Sequence, residues 1–559
     1  MDSYRLFVGL VFAVSVFLLV DAWVRDQQQA KPAPATPATQ ALRETPVPSI
    51  ETPATAQQGE QRSPAGSTAA AGTRTAGLAS GQRIQVKTDY LVAEIDTLGG
   101  DLRRVELLEH KERGDKEKNF VLLQETPERL YVAQSGLFHG EGLADHKTLF
   151  SSESMSYELG AGQDALIVRL EAPATASAKV VKTYTFHRAS YVVDVGFEVT
   201  NLGDTASQPD AYYQLVRDSN PAEGDSRLVP TYTGAEIYTE KDKLEKVAFS
   251  DIESNRVEKA AADGWIAFVQ HYFLSAWLVE QGRARVLFLE PLPNTNGLVA
   301  GGVITPVGTI EPKQTANVVV KLYTGPQEQE RLKALAPGLE LTVDYGWLRV
   351  LAVPLFWILD RVHGLVGNWG VAIIVLTVLI KLVFYPLSAA SYKSMARMKV
   401  LAPKLQRLKE RYGDDRQKMH QGMIELYKTE KINPLGGCLP IVVQIPVFIA
   451  LYWVLLLSVE LRHAPFMLWI NDLSSPDPYF ILPVLMGATM FIQTWLNPTP
   501  PDPMQAKLMK IMPIAFSIFF FFFASGLVLY WLVNNVLSIG QQWQITRALE
   551  RSKAAHGGT

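Results

Sequence analysis

Five apolar runs after Trp347, and the sign of the charge between them, constrain this chain more than any other feature. The runs are Trp369–Leu387, Leu439–Val459, Tyr479–Trp495, Ile511–Ala524 and Leu527–Ile545. An apolar helix of roughly 20 residues crosses a bilayer, and shorter ones can do so where the bilayer thins. The Ser388–Pro434 segment between the first two runs carries an excess of Lys and Arg, from Lys393, Arg397 and Lys399 to Lys428 and Lys431. Its acids, among them Glu410, Asp415 and Glu425, offset only part of that charge. Such an excess places a short loop in the cytoplasm. The Glu460–Pro478 loop has Arg462 as its only Lys or Arg and suits the outside. Lys507 and Lys510 precede the fourth run, and Arg547, Arg551 and Lys553 follow the last. Both groups fall on the cytoplasmic side if the helices alternate.

A further apolar span covers about Tyr4 to Val24, with Arg5 at its start and Asp21 inside it. It reads as an uncleaved anchor, residues 1–25. A cleaved signal peptide is the rival reading, but the span ends in Asp21-Ala22-Trp23 rather than a small-x-small site. With that anchor the topology is six crossings, both termini cytoplasmic. Residues 26–82 are Pro, Ala, Thr, Gln, Ser and Gly with few large apolar side chains. They cannot bury enough surface to offset chain entropy and read as a flexible tether.

Between Arg83 and Thr324 the pattern becomes short alternating strands. Ile84–Thr88, Leu91–Ile95, Val180–Phe186 and Tyr191–Val195 alternate at period two, with turns such as Asn201-Leu202-Gly203-Asp204 between them. Many short strands separated by turn signals predict an antiparallel β-sandwich over residues 83–325. No catalytic constellation stands out there, and His271 falls in Trp265–Phe273, which reads as a packed strand. Residues 326–366 predict a connecting helix, Glu328–Leu339, and then a helix lying in the membrane interface. The second, Leu341–Leu365, is broken by Asp344, Arg349, Pro354, Asp360 and Arg361 and carries Trp347 and Trp357. The fold class is therefore multi-domain α + β. Its parts are an N-terminal anchor, the β-sandwich and a C-terminal five-helix transmembrane core (367–387 and 435–547). A cytoplasmic helical hairpin (388–434) interrupts the core, and a basic tail (548–559) follows it.

Composition narrows the chemistry. The net charge of −3 argues against nucleic acid as a specific partner. The single cysteine, Cys438, excludes an internal disulfide and any cysteine-cluster metal site. The chain has no H-E-x-x-H and no G-x-x-x-x-G-K-[ST], so neither zinc-protease nor P-loop chemistry is expected. No cofactor or metal is expected, and no nucleophile–base pair marks an enzyme.

Two features could carry function. Lys381 sits in Leu379-Ile380-Lys381-Leu382, within two turns of the cytoplasmic end of its span. A charge at mid-span costs roughly 2.5–3.5 kcal/mol on insertion scales. The bland reading is that the ammonium snorkels to the headgroups. The functional one is a cation facing a water-filled cavity, with Thr377 one turn before it on the same face. Gln444, Gln493, Asn534 and Asn535 could line such a cavity, although interhelical hydrogen bonding accounts for each amide alone. The second feature is the hairpin. Met395, Met398, Leu401, Leu405 and Leu408 form an apolar stripe on one arm, and Met419, Met423, Leu426 and Tyr427 form one on the other. Packing of the arms on each other explains both, and a soft methionine surface also suits varied apolar partners.

Several motifs in one order bring a family into view. They are Gly367-Asn368-Trp369-Gly370, Lys381 with Tyr385-Pro386-Leu387, and Lys431-Ile432-Asn433-Pro434-Leu435-Gly436-Gly437-Cys438-Leu439-Pro440. Asp502-Pro503-Met504-Gln505 and Ser525-Gly526-Leu527-Val528-Leu529-Tyr530-Trp531 follow. This set resembles the YidC-type membrane protein insertases densely from Leu341 to Arg551. The anchor, tether and β-domain match the Gram-negative layout, with its periplasmic domain and inner-membrane location. The resemblance implies a groove open to the cytoplasm and lipid, and closed outside. It implies action on nascent membrane proteins, alone or with the Sec translocon. The groove arginine of that family is matched by Lys381, which keeps the charge and loses the guanidinium fork. Thr377, Tyr530, Trp531 and Gln444 would line the groove. The hairpin, with Lys393, Arg397, Lys399, Lys404 and Arg407, would meet the ribosome or signal-recognition machinery, and membrane lipids would surround the core. A small-solute transporter predicts paired intramembrane charges and an internal repeat, and neither is present in the sequence. A tethered β-domain chaperone, with the helices as its anchor, is the third reading.

Overall fold

The computed structural model describes residues 78–220, 231–254, 256–293, 295, 297–413, 415–430, 439–497 and 503–556. The expected anchor, nearly all of the tether, residues 431–438 of the Lys431–Pro440 motif and Asp502 lie outside them. The chain divides into two compact units that part between Val343 and Asp344.

The first unit is a sandwich of one ten-stranded and one nine-stranded sheet. The alternation read from the sequence is the alternation of burial. Arg83–Lys87 pairs antiparallel with Leu91–Asp96, matching Ile84 to Ile95 and Val86 to Ala93. All four side chains point into the core. Ala178–His187 pairs with Val192–Asn201 through Tyr184 and Val195. Ladders are antiparallel except at one edge, where the three-residue strand Ser156–Glu158 runs parallel to Arg83–Lys87. The sheets meet through aromatic contacts, such as Phe197 with Tyr213, Tyr213 with Trp277 and Tyr131 with Phe268.

Two expectations change here. Trp265–Phe273 is not one strand: Trp265–Gln270 and Phe273–Leu278 form a hairpin whose end pair is Gln270 with Phe273. His271 is therefore in the turn, its ring stacked on Tyr272 at 3.8 Å. The β unit also runs past its last strand, Thr315–Pro326. Beyond a short helix α1 (Phe249–Ser254), it includes α2 (Gln329–Leu335), where Leu332 is buried and Arg331 lies over the Tyr191 ring. Pro337 stops α2, and its carbonyl accepts the Trp265 indole N–H at 3.0 Å.

The second unit is helical: α3 (Arg349–Val366), α4 (Trp369–Val383), α5 (Tyr385–Tyr412), α6 (Arg416–Thr429), α7 (Leu439–Leu457), α8 (Ile481–Leu496), α9 (Pro503–Phe519) and α10 (Ser525–His556). Helix α3 buries Ala352, Phe356 and Leu359, a three–four spacing, and exposes Val350, Trp357 and Leu365. Helix α10 packs against α4, α5, α7 and α8, and α8 against α9.

The expected span Trp369–Leu387 is two helices. Helix α4 ends at Val383 and α5 leaves at 67° after Phe384. Pro386 sits in the first turn of α5, where its missing N–H costs no helical bond and its ring blocks continuation of α4. Among the described residues no single helix is long and apolar enough to cross a membrane, and this bent pair is the one combination that is.

Candidate functional site

The Gly367-Asn368-Trp369-Gly370 motif is a joint in which each residue has a task. Gly367, at φ +66°, ends α3 in the left-handed conformation that favours glycine. Asn368 caps α4: its side-chain oxygen accepts from Val371 N–H at 3.0 Å. Its amide nitrogen donates to the Phe466 carbonyl at 2.9 Å. Trp369 stacks on His363 at 3.9 Å. Gly370 leaves room for the Phe466 ring, which a Cβ would meet at 2.1 Å. The loop between α7 and α8 is thereby fastened to the start of α4.

The same loop is fastened to the start of α10. Ser525 N–H donates to Ser475 O at 2.8 Å, and Gly526 N–H to Leu473 O at 2.9 Å. Within the loop, buried Asp477 accepts from the Trp469 indole (3.0 Å) and the backbone N–H groups of Tyr479 (3.0 Å) and Leu482 (2.7 Å). Asp472 accepts from His463 N–H at 3.0 Å and from both hydroxyls of Ser474 and Ser475 at 2.7 Å. Burial raises the Asp472 carboxyl's pKa, but these donors outweigh it and hold the group below the ordinary carboxylate range.

Toward the other end of α4, Lys381 is half-buried and its Nζ donates to Ser538 Oγ of α10 at 2.7 Å. Thr377 is buried one turn earlier, and its hydroxyl donates to its own helix, to Ile373 O at 2.6 Å. Tyr530 and Trp531 lie on α10 eight and seven residues before Ser538, roughly 12 Å along the axis. They form an aromatic cluster with Phe448 of α7 and with Phe516 of α9: Phe448 stacks on Tyr530 at 5.9 Å and meets Trp531 edge-on at 4.5 Å. Gln444 is half-buried on α7, with no hydrogen-bond partner among the described residues. The structure thus joins Lys381 to α10 directly, and Tyr530 to Trp531 through α7. Thr377 is turned to its own backbone.

Sequence reasoning missed Ser538 and Gln541. Gln541 Nε2 donates to Tyr385 O at 3.4 Å, just past the break between α4 and α5. Asn535 reaches Thr489 at 3.4 Å and Gln542 reaches Asn497 at 3.0 Å, both toward α8. Asn534, Asn535, Ser538, Gln541 and Gln542 recur at three–four spacing, and that stripe was the signal available.

In the hairpin, Asp415 caps α6 by accepting from Gln417 and Lys418 N–H groups at 3.1 and 3.0 Å. Gly422 faces Leu408, and Lys404 bridges to Glu430 at 2.5 Å, so the arms do pack on each other. Lys393, Arg397, Lys404 and Arg407 are exposed on α5 at spacings of four, seven and three, which keep them on one face. The Lys399 side chain lies outside the described residues.

The chain matches the 60Kd inner membrane protein family over residues 361–553 and the YidC periplasmic domain over residues 83–358. These matches place the β unit in a periplasmic-domain family and the helical unit in a family of inner membrane proteins. The chain is 55% identical to the membrane protein insertase YidC of Methylobacillus flagellatus, over 100% of this chain and 99% of that protein. It is 54% identical to that of Nitrosospira multiformis, over 99% and 98%. The crystal structure of an active YidC insertase with its first transmembrane domain resolved is 17% identical, covering 84% of this chain and 93% of that one, with a TM-score of 0.38. The chain belongs to the YidC family of membrane protein insertases.

Proposed function

We propose that this chain inserts nascent membrane proteins into the inner membrane by moving a short polar flank across while the apolar segment enters lipid. The observation that carries this reading is the Lys381 ammonium, held in an otherwise apolar helix against the polar stripe of α10. A cation there attracts an acidic flank entering from the cytoplasm, and burial of the apolar segment in lipid supplies the driving force. Trp531, half-buried and backed by the buried Tyr530, would offer an aromatic surface for the apolar segment. Gln444 and Thr377 would flank the path. The topology that suits this is six crossings with both termini cytoplasmic, leaving the 458–480 loop outside as the closed end. The exposed basic face of α5 would meet the ribosome or signal-recognition machinery, and the Sec translocon would be a further partner. No covalent step is needed, so the protein acts as a chaperone rather than an enzyme.

The test is insertion of a small single-span protein into proteoliposomes that hold only the full chain, read by protease protection. Protection that is lost with Lys381→Ala supports the reading. Protection unaffected by Lys381→Ala keeps insertion and removes the lysine from it. No insertion above empty liposomes moves the activity to a Sec-dependent role.

A further inference from the structure

The Lys381 ammonium has a neutral partner. It donates to Ser538 Oγ at 2.7 Å, and the Ser538 hydroxyl donates in turn to Asn534 O at 2.7 Å, one turn back on α10. The serine hydroxyl thus donates along its own helix, also pairs with the Tyr392 hydroxyl of α5, and accepts from the lysine. Such a hydroxyl is an acceptor fixed in direction, suited to a cation. Ser538 is buried, so water does not compete freely for that position. No Asp or Glu among the described residues pairs with Lys381.

We propose that Ser538 is a positioning residue for Lys381, holding the ammonium against α10 until an acidic flank of the inserting protein takes its place. The inference rests on the insertase reading above and adds the partner that Lys381 exchanges. A half-buried cation with one neutral acceptor keeps its full net charge, and so most of its Coulomb attraction for a carboxylate. A resident carboxylate in place of Ser538 would compete with the flank. With no partner, the lysine's flexible stem lets its head leave for the headgroups. Serine lies between these limits. One turn on, Gln541 holds Tyr385 O, so α10 grips the chain on both sides of the break at Phe384 and the lysine's base is fixed as well.

The experiment uses the full chain in proteoliposomes and two versions of one small single-span protein, with Asp or Asn in the translocated flank. Ser538→Ala should lower insertion of the Asp version about threefold to tenfold and of the Asn version by less than about twofold. Ser538→Thr, which keeps the acceptor, should restore the Asp version. In a Lys381→Ala background, Ser538→Ala should add nothing. Equal losses for both substrates, or a loss that persists without Lys381, would assign Ser538 to helix packing and overturn the inference. If Lys381→Ala discriminates the two flanks and Ser538→Ala does not, the inference falls and the role of Lys381 stands. If Lys381→Ala treats both flanks alike, both fall.

Discussion

Lys182 reaches from the nine-stranded sheet of the β unit into the ten-stranded one and donates to the Gly99 carbonyl at 2.9 Å. Its Nζ also donates to Ser135 O at 3.1 Å and is surrounded by the rings of Phe150, Tyr184 and Phe197. Gly99 and Gly100, at φ +79° and +58°, make the tight turn it grips, and Tyr184 Oη donates to Gly100 O. Beside it Asp101 is buried, paired with Arg103 at 3.2 Å and bonded by Gln134 at 2.9 Å. Lys182→Met keeps the stem in its aromatic cage and strips two carbonyls of their donor. The expected loss is about 2–4 kcal/mol, the range for breaking a buried charged network. Urea titration of the full chain in detergent, followed by protease resistance of the β unit, measures it.

His146 makes the β unit acid-sensitive. Its Nδ1 lies 2.5 Å from Tyr212 Oη, and burial pushes the imidazole down to about 4. In the unfolded chain the ring titrates near 6.5. The folded state therefore binds fewer protons between those values, so its stability is full above about pH 6.5 and falls as pH drops toward 4, by about 3 kcal/mol at most. Asp101 acts in the opposite sense. Burial raises its carboxyl to about 6, so protonation in that window favours the folded state and offsets part of the loss. His146→Gln should flatten the acid side of the stability curve, and thermal unfolding at pH 7, 6, 5 and about 4.5 tests the slope. An unchanged slope would show that His146 is not the titrating group.

Gly370→Ala is expected to loosen the loop that follows α7 without breaking α4, since alanine suits a helix better than glycine. The new Cβ would stand 2.1 Å from Phe466 Cδ2, so the ring must leave. Asn368 then loses its hold on the Phe466 carbonyl. An overpacking cost of about 1–3 kcal/mol follows. Amide exchange of Ser525 and Gly526, whose N–H groups end on Ser475 and Leu473 of that loop, should accelerate in the variant. Unchanged exchange there would refute the coupling.

The strands were legible because inward positions alternate with outward ones, and Ala178, Val180, Tyr184 and Phe186 follow that rule. Lys182 occupies the inward slot between them, and period two cannot distinguish a buried lysine from one on a solvated face. The break at Phe384 had a local signal in Pro386, because the residue before a proline leaves the helical region readily. The contact of Gly370 with Phe466 had none: it joins residues far apart in sequence through a shape that only the fold creates. Lys381 was legible as an anomaly in an apolar run. Its partner was not, since a serine on α10 looks like any small polar residue in a packed helix.

Asp477, with Asp472, holds the loop between α7 and α8 together. It is buried, and the three N–H groups it accepts come from Trp469, Tyr479 and the first turn of α8 at Leu482. Those donors stabilise the carboxylate, which has no cationic partner among the described residues, and the helix start at Ile481 adds its dipole. Asp477→Ala strands all three donors and should cost about 3 kcal/mol, more than an exposed cap would. Asp477→Asn keeps one acceptor oxygen and should recover part of that. The readout is protease cleavage between Met467 and Tyr479 in the folded full chain, both of which are exposed residues. Cleavage should be fast in Asp477→Ala, slower in Asp477→Asn and slowest in the parent. Equal rates in all three would mean that the loop is held by its attachments to Asn368, Ser525 and Gly526 alone.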